Sequence, residues 1–300
     1  MKLYLDNVDL TSRSGPNSFG RKLFEAVNHS GHEVTTSPGP CDFQLSFIQI
    51  ARQCSKNIAL RLDGIYFNNR QDWQRLNGPI KHSHDIAGLV IYQSQFNKNL
   101  TEKYFGSARD SIVINNGVSR EEIGKISPSM HPIFDQYDEV WCCSSSWRPH
   151  KRLRSNIEYF LNMRSNKTGL IILGDNPDHT VRHPDIFYVG SQPWETCISV
   201  YKRCKKFLHL AFLDHCPNVV VDARACGCEL VVSSSGGTRE ISGVGAKIIK
   251  DIEWDMNPLD LYAPPDLDFE KYEINQISSD IDINSVADRY MQKLNAIMKS

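Results

Sequence analysis

The chain has 300 residues, of which 40% are hydrophobic and 23% charged, and its formal net charge at pH 7 is −1. This composition is typical of a globular protein, and the length suits two domains that each bury a core. The balanced charge gives no electrostatic footprint for nucleic acid or an anionic membrane, and no apolar run approaches the roughly 20 residues of a membrane-spanning helix.

Cysteine usage and the first residues favour a cytoplasmic protein. The nine cysteines are odd in number, contain no CxxC pair and mostly adjoin apolar residues, which predicts reduced, partly buried thiols rather than disulfides or zinc ligands. Residues 1–10 contain one lysine and a short alternating pattern, without the apolar region of a signal peptide.

Strands and amphipathic helices alternate along the first half of the chain. Residues 2–8 form the first predicted strand, and Phe19, Leu23 and Val27 have the spacing of the apolar face of a helix that ends near Gly31. Further strands are predicted at residues 32–37, 43–50, 57–63, 88–94 and 111–115, with a helix at 96–106. This order is typical of a parallel sheet covered by helices.

The periodicity fades at residues 119–132, a polar stretch with two prolines, where we expect the linker between two domains. A second series of strands and helices begins at residue 138, and residues 283–298 form a final amphipathic helix. The predicted domains are therefore residues 1–125 and 126–283.

Two loops of the first domain carry residues suited to a ligand. Gly15 follows the first strand and would let the backbone approach a phosphate, although an ordinary capped turn explains it too. The loop lacks the GxGxxG pattern, which disfavours a nicotinamide cofactor. Asp63 ends a predicted strand, so it either faces a cleft or only begins an Asp-Gly turn.

Arg148, Lys151 and Arg152 cluster where a strand of the second domain gives way to a helix. Basic side chains at a helix amino terminus lie unfavourably against the helix dipole unless an anion is bound there. The cluster is therefore a candidate for neutralising a diphosphate leaving group, and the alternative is a solvated basic helix start.

The segment 207–240 carries the strongest functional signal, with the pattern strand, loop, helix, strand, glycine loop, helix. Asp214 lies in the first loop, and Asn218 and Asp222 share one face of the helix because they are four residues apart. Gly236 precedes a helix amino terminus that suits a phosphate. Carboxylates at strand ends can hold sugar hydroxyls, so this segment could bind most of a nucleotide-sugar. The alternatives are that Asp214 is only a turn residue and that Asp222 is only a solvated carboxylate.

The run KHSHD at residues 81–85 looks like part of a metal site. A zinc site needs more ligands than this run supplies, so we expect a polar surface loop there and no bound metal.

Taken together, these segments resemble the retaining glycosyltransferases of family 4, which have the GT-B architecture: an α/β fold of two Rossmann-like domains facing each other across a cleft. The family's Glu-x7-Glu signature is matched by Asp214 and Asp222, and its Gly-Gly-x-x-Glu loop by residues 236–240. Residues 113–119, VINNGVS, resemble the Asn-Gly-Val segment that ends the family's first domain. Both signature glutamates are aspartates here, and Ser146 stands where the family has an arginine.

The resemblance implies a role for each candidate residue. Lys151, with Arg148 or Arg152, would hold the diphosphate, Asp214 the donor sugar and Asp222 the ribose. The candidate catalytic residues are Asp63, Arg148, Lys151 and Asp214. The candidate donor-binding residues are Gly15, Val189, Gly190, Asn218, Val219, Asp222, Gly236 and Gly237. The final helix, at about 284–298, would pack back on the first domain.

By this resemblance the protein is expected to be a retaining, metal-independent hexosyltransferase without a cofactor. It would move a sugar from a UDP- or GDP-linked donor to an acceptor hydroxyl, with a glycan as the expected acceptor. Two alternatives stay open: a sugar-nucleotide epimerase or hydrolase of the same architecture, and a non-catalytic nucleotide-sugar-binding protein.

Overall fold

The computed structural model describes residues 1–298 and contains two sheets, each packed between helices. The strands of the first sheet are β1 (Lys2–Asp6), β2 (Glu33–Thr35), β3 (Phe43–Phe47), β4 (Ile58–Leu62), β5 (Leu89–Tyr92) and β6 (Ser111–Val113). They are all parallel, in the order β2-β1-β3-β4-β5-β6. The helices of this half are α1 (Gly15–His29), α2 (Trp73–Ile86) and α3 (Gln95–Phe105).

Two short helices, α4 (Arg120–Lys125) and α5 (Ile133–Gln136), lead into the second sheet. Its strands are β7 (Glu139–Ser144), β8 (Thr168–Leu173), β9 (Ile186–Gly190), β10 (Lys206–His209), β11 (Glu229–Ser233), β12 (Lys247–Ile249) and β13 (Tyr272–Ile274). Its helices are a 3₁₀ turn (Pro149–Lys151), α6 (Leu153–Met163), α7 (Trp194–Tyr201), α8 (Asn218–Ala225) and α9 (Thr238–Ser242), and α10 (Ile283–Met298) ends the described chain. The strand order is β13-β12-β11-β10-β7-β8-β9, and β13 pairs antiparallel.

Most residues of the central strands are buried because helices cover both faces of each sheet. All five residues of β3 are buried. In β7, Cys142 packs into one core cluster, whereas Trp141 and Cys143 pack into the cluster on the opposite face. All nine cysteines are free thiols, five of them buried and four partly buried.

Each sheet has a point where the strand order reverses. In the first sheet the reversal lies beside β1, which pairs with both β2 and β3; in the second it lies between β7 and β10, which pair directly. Ligands of open α/β sheets bind outside the carboxyl ends of the strands at such points. The loops after β1, β7 and β10 are therefore placed to form a site.

The chain passes between the two halves earlier than residues 125/126, where the sequence predicted the boundary. Ile114 packs in the first core, whereas Val118 and Ile123 pack in the second. The chain returns to the first domain beside this crossing, at residues 281–283. Val118 donates its amide to Ile281 O (2.8 Å), and Ile283 donates its amide to Val118 O (3.1 Å). Helix α10 then packs into the first core, with Tyr290 beside Phe19.

Residues 81–85 do not form a surface loop, so that prediction was wrong. They belong to α2, and His84 is only 3% exposed. Gly78 and Pro79 inside the helix, together with the polar buried residues Asn77 and Ser83, hide its periodicity from the sequence. Burial of this face is decided by packing rather than by an apolar stripe.

The acidic segment after β12, which has little periodicity, reaches across to the first domain. Trp254 packs on Phe67 with ring centroids 4.8 Å apart, and Asn69 donates its amide to Leu259 O (2.9 Å). These contacts join residues far apart in the chain, so a local pattern carries no signal for them.

Candidate active site in the cleft between the domains

The strand reversal of the second sheet brings Lys151 and Asp214 together. Lys151 ends the 3₁₀ turn after β7, and Asp214 lies in the loop after β10. Lys151 Nζ donates to Asp214 Oδ2 at 2.5 Å, and His209 Nε2 bonds the same oxygen at 2.9 Å. Because β7 and β10 are neighbours, two loops distant in sequence meet at one sheet edge.

The Asp214 carboxylate is kept ionised by its neighbours. Burial by itself would raise the pKa of Asp214, but the charge of Lys151 and the hydrogen bond from His209 outweigh it and hold the pKa well below its usual range. Burial lowers the pKa of His209, so its imidazole is neutral and carries its proton on Nε2 to donate it. The site therefore presents a fixed anion next to a cation that is 19% exposed.

The glycine loop after β11 packs its backbone against this carboxylate loop. Gly237 donates its amide to Asp214 O at 2.8 Å. A Cβ on Gly236 would lie 2.3 Å from Asp214 O, and one on Gly237 would lie 2.0 Å from His215 O and 2.5 Å from Ser94 Oγ. Both glycines thus allow the loop to approach Asp214 and the first domain, and the Gly237 amide is engaged rather than free for a phosphate.

Glu240, in α9, links the domains at the same place. Its carboxylate accepts hydrogen bonds from the amides of Gln95 (2.7 Å) and Phe96 (3.0 Å), which belong to the first turn of α3. An anion at a helix amino terminus satisfies free N–H groups and the helix dipole. This contact fixes α9 to the first domain.

Gly15 and Asn218 meet across the cleft. Asn218 Nδ2 donates to Gly15 O at 2.9 Å, and Asn218 Oδ1 accepts from Asn116 Nδ2 at 3.0 Å. The amino-terminal ends of α1 and α8 therefore face each other, with Asn116 between the two halves of the chain.

Asp222 lies one turn further along α8 and is bonded on both oxygens. Lys22 Nζ, from α1, donates to Oδ1 at 2.8 Å, and Trp194 Nε1 donates to Oδ2 at 3.0 Å. The side chains of Lys22 and Asp222 are 4% and 6% exposed. The acid predicted to hold a ribose is thus paired with the first domain.

Asp63 is joined to this network through a buried arginine. Arg61 makes an ion pair with Asp63 Oδ1, donates to Asn116 Oδ1 at 2.6 Å, and stacks on Phe19 with its guanidinium carbon 4.2 Å from the ring centre. Asp63 Oδ2 is buried and has no hydrogen-bond partner within residues 1–298. A Cβ on Gly64 would lie 2.7 Å from His215 Nε2, so the Asp63 loop touches the loop of Asp214.

The three basic residues near Lys151 separate into different roles. Arg148 is exposed; its carbonyl accepts from the Lys151 amide at 2.7 Å, and its side chain makes no hydrogen bond or ion pair within residues 1–298. Arg152 is buried and pairs with Asp251 at 2.6 Å, the two side chains being 1% and 0% exposed. The suggestion that Arg152 holds a diphosphate was therefore wrong, because its charge is already neutralised in the interior.

Three of the candidate donor-binding residues make their contacts elsewhere in the second domain. Gly190 ends β9 and accepts a hydrogen bond from the Gly174 amide at 2.8 Å. Val189 is 39% exposed, and its carbonyl accepts from Gln192 Nε2 at 2.7 Å. Val219, in α8, is partly buried against the core of the second domain.

Lys22, Trp194 and His209 were missed by sequence reasoning. Lys22 carried a signal, since it lies three residues after Phe19 and four before Ala26, on the apolar stripe of α1. His209 could also have been noticed, because it is a titratable residue in an otherwise apolar strand. Trp194 had none, because tryptophan at a helix start suits many environments.

Two searches of the described residues, 1–298, gave negative results. No group of three or more His, Cys, Asp or Glu side chains converges in a way that could hold a metal ion. In the same part of the chain, no helix has the length and apolar character needed to span a bilayer.

Comparison with known proteins places the fold. No protein-family model matches the sequence. No curated protein matches it either. Solved structures do match: Anabaena Alr3699/HepE in complex with UDP-glucose has a TM-score of 0.69 at 13% identity, covering 99% of this chain and 100% of that one.

Two other solved structures agree with this match. Sucrose-phosphate synthase from Thermosynechococcus elongatus has a TM-score of 0.65 at 13% identity, covering 99% of this chain and 90% of that one. WaaG, a glycosyltransferase involved in lipopolysaccharide biosynthesis, has a TM-score of 0.62 at 8% identity, covering 98% and 92%. The chain therefore has the GT-B architecture, which confirms the predicted fold class.

Proposed function

We propose that this protein is a retaining glycosyltransferase that moves a hexose from a nucleoside diphosphate to an acceptor hydroxyl. The observation that carries the proposal is the pair of Lys151 and Asp214, held 2.5 Å apart at the strand reversal of the second sheet. A neighbouring cation and carboxylate at the carboxyl ends of parallel strands suit a sugar diphosphate, which supports the proposal.

Lys151 and Arg148 would bind the diphosphate. The side chain of Arg148 is exposed beside the site without a hydrogen-bond or ion-pair partner in the described chain, and Lys151 has a partly exposed ammonium. Asp214 would accept hydrogen bonds from hydroxyls of the donor sugar, since its low pKa keeps it ionised. Asn218 and Asp222 would contact the nucleoside, and the backbone at Val189 and Gly190 the base.

Negative charge grows on the leaving phosphate as the glycosidic bond breaks, and fixed cations stabilise that charge without a metal ion. His209 is buried and His215 is half-buried, and burial lowers the pKa of both, to about 4 for His215, so the two imidazoles beside Asp214 are neutral. The leaving phosphate would accept the proton of the incoming hydroxyl, so the acceptor attacks from the face that the phosphate leaves. This route retains the anomeric configuration and needs no cofactor.

The acceptor would enter beside Asp63. Its unpartnered Oδ2 can accept a hydrogen bond from an incoming hydroxyl. A cavity of about 320 Å³ lies between the loops after β3 and β4 and helix α2, and Tyr66 of its lining follows Asp63 by three residues. Its lining residues are Ile48, Gln49, Tyr66, Arg75, Leu76, Pro79 and Ile80. An aromatic ring flanked by Gln and Arg suits a sugar ring, which supports a glycan acceptor.

The first donors to test are UDP-sugars, since Alr3699/HepE of similar fold was solved with UDP-glucose. Thermal unfolding would be followed with UDP-, GDP- and dTDP-sugars. A ligand at 100 times its Kd adds about 2.7 kcal/mol, which is readily seen. Lys151→Met, whose Kd should rise by less than tenfold, should lose at most about half of this shift, whereas Lys81→Met, which removes an exposed lysine paired with Asp85, should keep all of it.

Product analysis then separates the possible reactions. Transfer to an added glycan, with the same anomeric configuration in product and donor by NMR, supports the proposal. Donor consumption that gives only free sugar or an epimer indicates a hydrolase or epimerase. Binding without turnover under any acceptor condition indicates a binding protein and refutes the proposal.

A further inference from the structure

Lys22 and Asp222 form a buried ion pair between the two domains. Their side chains are 4% and 6% exposed, and 200 residues separate them along the chain. The Lys22 ammonium also lies 5.6 Å from the centre of the Trp194 ring, whose indole N–H bonds the other oxygen of Asp222. One turn away on α8, Asn218 bonds Gly15 of α1. Two side-chain contacts, one turn apart on α8, thus join α1 and α8.

Stability alone does not explain this pair. Removing two charges from water costs several kcal/mol per ion, and a well-packed apolar pair is often as stable. Lys22 lies on the apolar stripe of α1, where the neighbouring stripe residues Phe19 and Ala26 pack into the core. A lysine at this position is therefore expected to have a role that a leucine or methionine could not fill.

The pair occupies a carboxylate of the proposed donor site. Both oxygens of Asp222 are bonded, and its side chain is almost inaccessible to solvent. A nucleoside with two vicinal hydroxyls needs such a carboxylate as acceptor, and it reaches Asp222 only when the contact between α1 and α8 opens. The ligand then competes with an ammonium of this chain.

We propose that Lys22 gates the donor site: in the donor-free protein its ammonium holds Asp222 and closes α1 on α8, and the nucleotide must displace it to bind. The inference rests on the proposed function, and adds a residue that sets donor affinity from outside the second domain. If about one molecule in ten is open, the apparent Kd is about tenfold above that of the open form.

The direction in which substitution of Lys22 changes the nucleotide Kd tests the gate. Lys22→Met keeps the length and apolar character of the side chain but leaves Asp222 without its cation. Calorimetric titration with UDP and with GDP should give a Kd about tenfold lower than that of the wild type. Lys22→Arg, which keeps the ion pair, should remain within about twofold of the wild type. Lys81→Met, an exposed charge removal in the first domain, should not change the Kd.

A second measurement needs no ligand. Small-angle scattering of the donor-free protein should give a larger radius of gyration for Lys22→Met than for the wild type or Lys22→Arg. Adding nucleotide should bring the variants to a common value. Lys22→Gln, which retains a hydrogen-bond donor, replaces the methionine variant in both measurements if the latter does not fold.

The outcomes separate the gate from the function. Wild-type binding with an unchanged or higher Kd in Lys22→Met overturns the gate while the proposed function stands. Absence of nucleotide binding in the wild type and in every variant overturns both. A lower Kd together with an expanded donor-free protein supports both.

Discussion

Lys151 Nζ lies 2.5 Å from Asp214 Oδ2, although 63 residues separate them in the chain. The two loops meet because β7 and β10 are neighbours at the point where the strand order of the second sheet reverses. Asp214 and Gly237 are then joined by a backbone hydrogen bond of 2.8 Å, which ties the same loop to the glycine turn. The catalytic proposal depends on this local geometry.

Loss of Lys151 should destabilise the protein in a pH-dependent way. In Lys151→Ala, Asp214 keeps its burial but loses its cation, so its pKa should rise. A carboxyl group whose pKa is depressed in the folded protein stabilises it at pH values above the unfolded pKa of about 3.9. The Tm of the wild type should therefore exceed that of the variant most at neutral pH. The difference in Tm should shrink as the pH falls below about 4 toward the depressed pKa of folded Asp214, because the wild type then loses the stabilisation that its ionised carboxylate provides. A difference independent of pH would contradict this.

Turnover should fall more than donor binding in the same Lys151 variant, because leaving-group charge peaks in the transition state. We expect kcat to fall about 100-fold or more, with the donor Kd changing by less than tenfold, as measured by steady-state kinetics and titration. Equal losses in the two quantities would indicate simple positioning of the donor.

Arg148 and Arg152 should respond in opposite ways to substitution by methionine. Arg152→Met leaves Asp251 buried and unpaired, so the free energy of unfolding should fall by about 3–5 kcal/mol. Arg148→Met removes an exposed side chain and should leave the Tm unchanged while it reduces turnover. Denaturant unfolding and kinetics on the two variants test the contrast; a stable Arg152→Met protein would argue against the assignment.

Gly237→Ala should open the junction between the glycine loop and the first domain. Its Cβ would lie 2.0 Å from His215 O, a backbone atom that cannot move alone. We expect a destabilisation of about 1–3 kcal/mol and a large loss of activity. Gly124→Ala is the matched control, since nothing lies within 4 Å of its Cβ and α4 is exposed there. Comparable effects of both substitutions would mean that the close approach does not matter.

Asp222→Ala should weaken nucleotide binding when it is added to Lys22→Met, in which the ammonium no longer competes with the nucleotide. The expected loss is about 10- to 150-fold relative to Lys22→Met, because hydrogen bonds to a charged group contribute about 1.5–3 kcal/mol. Titration with UDP measures the change, and Asp85→Ala in the same background serves as a control from an exposed pair. An affinity equal to that of Lys22→Met would remove Asp222 from the donor site.

His150 should make the protein sensitive to acid. Burial holds its pKa at about 3, far below the unfolded value of about 6.5. The unfolded chain therefore binds a proton that the folded chain does not, and stability falls as the pH drops from about 6.5 toward 3. His150 Nδ1 has no hydrogen-bond partner in the described chain, so His150→Phe should keep its stack on Tyr262 and show a flatter loss of Tm in acid. An unchanged acid profile would contradict the burial of a neutral imidazole.

Local pattern was sufficient for the elements that carry the proposed site. The segment 207–240 forms the predicted strands and helices, β10, α8, β11 and α9, because its apolar periodicity and its glycines act over a few residues. Asn218 and Asp222 share α8 as expected from their spacing. Helix α2 escaped prediction because polar residues lie on its buried face, so its place in the fold is fixed by partners outside the segment.

The sequence by itself determined most of the alternation of strands and helices, though not helix α2, and with it the α/β architecture, since backbone conformation and amphipathic spacing are local properties. Only the tertiary structure decided which charges meet: Arg152 with Asp251 inside the second domain, and Lys22 with Asp222 between the domains. A buried charge requires a counter-charge in space, and packing rather than sequence separation sets which residue supplies it.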